Sequence, residues 1–156
     1  MKLRTDIFDL WIFHRNRETP EYLLFHTSRE KADTWFHGGQ FWQIPGGFTE
    51  GDEEITDAVI RVMGGLKLEP AACWAAECTY TYYNPRRKNI EIVPVFAAEI
   101  PASAEVEYTW EHDKAGWFTA AECLERLYFR GLKDGLTWTR EYITEGSESP
   151  DSLRIF

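Results

Sequence analysis

Ile, Leu, Phe, Trp and Tyr crowd into residues 6–13 and 21–26, and the polar stretch 14–20 separates them, which predicts two strands joined by a loop. Residues 27–39 carry charges and a Gly-Gly pair and read as a loop. Phe41-Trp42-Gln43-Ile44 predicts a short strand stopped by Pro45-Gly46-Gly47. The clearest helical period follows. Asp52 is a good N-cap, Glu53 and Glu54 suit a first turn, and Ile55, Ala58, Val59 and Val62 repeat at i, i+3, i+4 and i+7. Gly64-Gly65 offers a left-handed stop after about ten residues. Residues 71–83 and 90–100 are predicted strands, joined as a hairpin by the basic turn Asn84-Pro85-Arg86-Arg87-Lys88-Asn89. After the polar run 101–114, residues 115–118 predict a short strand. Thr119-Ala120-Ala121-Glu122 is a capping box opening a helix to about Leu127, and a last helix spans about 132–144 with Leu132, Leu136 and Ile143 on one side. The element order, β, β, β, α, β, β, β, α, α, predicts an α+β domain with helices covering a mixed sheet.

The 156 residues match the length of one domain, roughly 150, so residues 1–156 are expected to share one core, with residues 145–156 as a frayed tail. Hydrophobic residues at 44% and charged residues at 28% argue against wholesale disorder. No apolar run nears the roughly 20 residues that span a bilayer, and no secretory h-region opens the chain, so a cytoplasmic protein without membrane contact is expected. The formal charge of −9 excludes a general electrostatic footprint for duplex DNA. Any phosphate must therefore meet a local basic cluster, backbone N–H groups or a metal ion. Cys73, Cys78 and Cys123 form an odd set without CxxC spacing and read as reduced thiols. The seven Trp leave aromatics for base stacking once a core is filled, with Trp42, Tyr80, Tyr82 and Trp117 as candidates for either role.

Phe41-Trp42-Gln43-Ile44-Pro45-Gly46-Gly47 and Glu50-Gly51-Asp52-Glu53, followed by an amphipathic helix, resemble the Nudix hydrolase family. Its box runs Gly, five residues, Glu, seven residues, then Arg-Glu-apolar-x-Glu-Glu-x-Gly-apolar. Gly47, Glu53 and Arg61 fall on the first Gly, the first Glu and the Arg. Glu111-His112, Trp117-Phe118 and the capped helix resemble the C-terminal half of members that act on dihydroneopterin triphosphate and dinucleotides. The resemblance covers about residues 6–142. It implies an α/β/α sandwich, a nucleotide or other phosphorylated small ligand as partner, Mg²⁺ or Mn²⁺ as cofactor, and a homodimer as a family habit.

The catalytic half of the box departs from the family. Ungapped, its three carboxylate positions hold Val62, Gly65 and Leu66, and a gapped match deletes them. Those glutamates hold the ion that neutralises pyrophosphate charge, so losing them costs orders of magnitude in rate. Glu50, Glu53, Asp57 and Glu111 are the carboxylates left to form a displaced metal site, with Glu53 and Glu111 as the candidate catalytic pair. Alternatively, Glu53, Glu54 and Asp57 are a solvated first turn. Arg61 is expected to pair with Glu53 if Glu53 lies in the loop and folds back. Gly46 and Gly47 suit a tight turn, with N–H groups free for phosphate. Arg86 and Arg87 form the core of the one dense basic patch, either a phosphate clamp or a solubilising tip. Trp42 is a candidate stacking residue, and His112 has a positional case for acid–base work.

Two functions of different class follow. One is a Nudix-type hydrolase of a nucleoside diphosphate-linked substrate, with weak or relocated activity. The other is a non-catalytic module that binds a nucleotide, RNA or a partner protein. A third, purely structural reading has the cleft filled by the domain's own Trp and Tyr side chains.

Overall fold

The computed structural model describes residues 1–156. Its elements are β1 (Lys2–Arg4), β2 (Ile7–His14), β3 (Glu21–Thr27), α1 (Arg29–Trp35), β4 (Trp42–Gln43), β5 (Gly46–Phe48), α2 (Ile55–Gly65), β6 (Ala72–Asn84), β7 (Asn89–Glu99), β8 (His112–Thr119), α3 (Ala120–Arg126) and α4 (Arg130–Thr139). A π turn, Arg140–Thr144, continues α4, and a 3-10 turn covers Asp151–Leu153.

β2 is apolar on both faces, as a strand buried on both sides must be. It runs parallel to β7 from Asp9 opposite Val95 to Phe13 opposite Glu99, and antiparallel to β3 and β5. β6 pairs with β7, β8 and β4 with β3, and β1 with the start of β7, giving a mixed eight-stranded sheet. The two-residue period then sorts the core. Phe8, Leu10 and Ile12 face Ala58, Val59 and Met63 of α2. Trp11 and Phe13 face the opposite layer, built from Cys123 and Leu127 behind α3, Leu132 and Leu136 of α4, and Ile143. This is the α/β/α sandwich expected from the sequence.

Several local expectations need correction. Residues 27–39 contain α1, whose Ser28 side chain caps the Lys31 N–H at 3.0 Å. The N-cap of α2 is Glu54 rather than Asp52, and neither Gly64 nor Gly65 turns left-handed. That conformation falls on Lys67 (φ 58°), after the helix has already closed. β1 was not anticipated, and β8 is longer than residues 115–118. The last helix begins at Arg130 and widens to π geometry from Arg140. The tail does not simply fray: Ile155 donates to the Cys73 carbonyl at 2.8 Å, and Cys73 donates to that of Phe156 at 3.0 Å. The Thr119–Glu122 capping box forms as read, with both reciprocal bonds.

Pro94 stands inside β7, an interior strand, and cannot donate to a ladder. The β6–β7 register shifts between Ala75 and Thr79, next to Pro94, and Glu77 takes φ 50° in the bulge. Beyond the bulge, Tyr80 and Tyr82 share the face of β6 that looks toward α4.

Candidate functional site

The two glycines that open the box lie in a strand. Gly46 pairs with Asp9 and Gly47 with Phe8. A Cβ on Gly46 would stand 2.8 Å from the Phe8 carbonyl, and one on Gly47 2.8 Å from Val62 Cγ2. Neither glycine has a positive φ. They permit close approach of backbone to its neighbours, and the turn expected from the sequence is not their role. Val62 thus packs its methyl group against Gly47.

Arg61 braces the loop to the helix. Its Nε donates to Glu53 Oε1 at 2.9 Å, and its Nη2 donates to Glu53 Oε2 and to the Phe48 carbonyl, each at 2.7 Å. Glu50 stands 3.4 Å from Arg61 Nη1, and its N–H donates to Glu53 Oε2 at 3.0 Å. Hydrogen bonds from Arg61 hold the Glu53 carboxyl below the usual carboxylate range. The pairing needed Glu53 in the loop before α2, and it is there. Both partners are solvent-accessible, so the brace orders a loop more than it stabilises the domain. Arg61→Ala is expected to speed amide hydrogen exchange across residues 48–53 severalfold while leaving the melting midpoint within about 2 °C. A large drop in midpoint would show that the brace carries the fold.

Of the other candidate ligands, Asp57 is exposed in the first turn of α2, and Glu111 is engaged by Lys31 Nζ at 2.7 Å. Glu50 and Glu53 come together on Arg61, and Asp57 and Glu111 do not join them. No three or more His, Cys, Asp or Glu side chains are grouped to hold a metal ion. With Glu53 gripped on both oxygens by Arg61, the donor set does not fit an Mg²⁺ or Mn²⁺ site of the family's kind. His112 packs on Phe25 with ring centroids 4.8 Å apart. Burial, helped by Lys31, pushes it down to about 4, so it is neutral near pH 7.

The basic hairpin tip does approach the box. Arg86 lies 4.6 Å over the Trp35 ring, and Arg87 lies 5.2 Å over that of Phe48, the residue whose carbonyl binds Arg61. Arg87 is tied to the buried Glu91 at 3.1 Å, whereas Arg86 makes no ion pair. Burial alone would raise Glu91, but bonds from Tyr82, Arg87 and Asn84 outweigh it and hold the carboxyl low. Arg86 therefore has no carboxylate partner and rests on the Trp35 ring at the mouth of the box. Trp42 belongs elsewhere, edge-on to Phe118 and His26, and Trp117 packs against His14 on the α2 face.

Behind the mouth, Tyr80 and Tyr82 stack with centroids 6.1 Å apart, and Tyr80 Oη donates to Asp9 Oδ2 at 2.6 Å. Burial pushes Asp9 up to about 6, partly offset by that bond. Sequence reasoning missed Asp9, although a lone carboxylate in Ile7-Phe8-Asp9-Leu10-Trp11 was a visible signal. Open hollows of about 370 Å³ beside Arg17, Glu21 and Glu122, and of about 310 Å³ between Trp117 and Val106, lie elsewhere.

The fold is that of Nudix hydrolases. A Listeria monocytogenes candidate Nudix hydrolase superposes with a TM-score of 0.74 at 15% identity, over 92% of this chain and 97% of its own. An Ap4A hydrolase from C. elegans gives 0.68 at 16%, over 89% and 96%. The Nudix domain of Shewanella oneidensis NrtR, in complex with ADP-ribose, gives 0.68 at 19%, over 90% and 88%. In sequence, no family model and no curated protein matches the chain.

Proposed function

We propose that this domain is a non-catalytic Nudix-fold module that binds a nucleoside diphosphate or a ligand containing one. The observation that carries the reading is the state of the box. Val62 packs on Gly47 where a metal-binding carboxylate belongs, and Glu53, the one acidic box residue retained, has both oxygens engaged by Arg61. Hydrolysis in the family manner needs a hard-oxygen cage for a divalent ion, and these side chains supply none. The features that serve binding are better kept. Arg86 is an unpaired cation at the mouth of a chain carrying −9, and the Tyr80–Tyr82 pair offers aromatic surface behind it. NrtR, with the same fold, has been captured with ADP-ribose, a ligand of this chemical class.

Calorimetric titration with ADP, in EDTA and then in Mg²⁺, tests the reading beside assays of phosphate and nucleotide release. ADP is expected to bind in both conditions with affinities within about threefold, without turnover, and Arg86→Glu is expected to weaken binding about tenfold by reversing one charge at the phosphate. Brisk Mg²⁺- or Mn²⁺-dependent hydrolysis, lost in Glu53→Gln or Glu111→Gln, would establish the hydrolase with a relocated site instead. No binding of any nucleotide would leave the cleft as one filled by its own tyrosines.

A further inference from the structure

Asp9 lacks a structural reason to be an acid. It sits in the most apolar strand of the sheet, between the buried Phe8 and Leu10, on the face shared with Trp11 and Phe13. The titratable groups that face it are Tyr80, Tyr82 and Cys78 from β6, with Asp134 of α4 near Cys78. None of them is a cation. β5 contributes Gly46, which has no side chain, and β7 contributes the apolar Val95 opposite Asp9. A carboxylate withdrawn from water without a positive partner destabilises the fold, and such groups concentrate at functional sites. The Tyr80 bond does not explain the charge, because the amide oxygen of an asparagine would accept the same hydrogen bond at no electrostatic cost.

The two oxygens of Asp9 are not equivalent. Oδ2 accepts from Tyr80 at 2.6 Å. Oδ1 receives no hydrogen bond from a side chain and lies 3.5 Å from where a Cβ of Gly46 would be, so an exposed, side-chain-free stretch of backbone borders it. Tyr80 is itself fixed, since its ring lies against Gly131 of α4 so closely that a Cβ there would come to 2.3 Å of Cε2. The carboxyl is thus aimed, with Oδ1 left without a side-chain donor beside the exposed backbone of Gly46.

We propose that Asp9 is the specificity-determining residue of this cleft, its Oδ1 accepting a hydrogen bond from the exocyclic amino group of a bound nucleobase. The assignment rests on the nucleotide reading of the site given above. Adenine presents such an amino group. Uracil presents two carbonyl oxygens, with its one N–H held between them, and sets lone pairs against the carboxylate. Tyr80 acts as a positioning residue through Oδ2. The carboxylate's charge, unfavourable in the empty protein, is then used when an amino group arrives.

The test compares ADP and UDP on the full chain, as wild type and as Asp9→Asn, at pH 7.5. Wild type is expected to prefer ADP by about tenfold, the discrimination available to one partly exposed hydrogen bond set against a lone-pair clash. In Asp9→Asn, Tyr80 keeps the amide oxygen in place and turns the NH₂ toward the ligand, which opposes the adenine amino group and suits a uracil carbonyl. The preference is therefore expected to fall to parity or invert in favour of UDP, with the melting midpoint at or above that of wild type. A merely structural Asp9 would not move the ratio. If both proteins bind the two diphosphates with one unchanged ratio, Asp9 does not read the base and the assignment fails while the nucleotide site stands. If neither diphosphate binds either protein, the nucleotide reading itself fails and the assignment falls with it.

Discussion

Trp11→Ala is expected to destabilise the domain by about 3–5 kcal/mol, the cost of emptying a large buried aromatic site. Trp11 has no solvent exposure and joins the sheet to the layer of α4. It lies on the central strand, meets Tyr22 of β3 edge-on with centroids 5.8 Å apart, and is part of the cluster that receives Leu132 and Leu136. Its indole edge sits against α4, where a Cβ on Gly135 would stand 3.2 Å from Nε1. The backbone of α4 lies so close that neither element can shift to fill the space. For a chain of this size the change lowers the melting midpoint by roughly 10 °C. The indole N–H has no hydrogen-bond partner, so Trp11→Phe, which discards that orphan along with part of the ring, is expected to cost clearly less. Thermal melts of the two variants check both statements, and an Ala variant melting within 2 °C of wild type would refute the account of α4 docking.

What the sequence made legible was what neighbours in the chain decide. Thr119 and Glu122 cap one another within four residues, and Ile55, Ala58, Val59 and Val62 mark one side of α2 by period alone, so both elements were read correctly in kind. Their boundaries were less legible where a distant partner intervened. Glu53 looked like a first-turn residue, but Arg61 on the next turns of the helix draws it back into the loop, and the N-cap moves to Glu54. α1 has one buried residue, Ala32, and so no apolar stripe to announce it. Gly46 and Gly47 carried the right residue type with the wrong reason attached, because the atoms that exclude a Cβ belong to Phe8 and Val62, in other elements.

The same limit governs the site. The box residues that match by spacing, Gly47, Glu53 and Arg61, were legible in the sequence. The partner that aims Asp9 is Tyr80, 71 residues further on, and the ring of Tyr80 is held in turn against Gly131 of α4. A period-two reading of β2 would have placed Asp9 beside Trp11 and Phe13, inside the sandwich, and an acid at such a position is the anomaly that marks a site. Arg86 and Arg87 illustrate the complementary case. The sequence pairs them as one patch, and the fold separates them, since Glu91 neutralises one and leaves the other free.

Asp9→Asn is also expected to make the protein more stable near neutral pH, by up to about 3 kcal/mol. With Asp9 pushed up to about 6 from an ordinary 3.8, the folded state resists its ionisation. The cost is complete above pH 6 and is relieved as pH falls from about 6 to 3.8, where the folded protein takes up the proton first. A shift of that size corresponds to about 3 kcal/mol at 1.36 per pH unit, and residual contact with solvent makes it an upper bound. His112 acts in the opposite sense. Burial and Lys31 depress it to about 4, so its contribution is intact above pH 6.5 and is lost as pH falls toward 4, where the unfolded chain binds the proton more readily. Burial depresses the fully buried His14 in the same direction, and neither of its ring nitrogens has a partner. Between pH 6.5 and 4, then, wild-type stability carries two nearly opposed slopes from Asp9 and His112, whereas Asp9→Asn retains only the histidine slope. Urea unfolding from pH 4 to 8 should show the variant clearly more stable at pH 7.5, falling steeply below pH 6.5 and meeting wild type near pH 4. A variant less stable than wild type at pH 7.5 would mean that the carboxylate is stabilised within the fold itself, and the case for an external hydrogen-bond donor at Asp9 would lose its foundation.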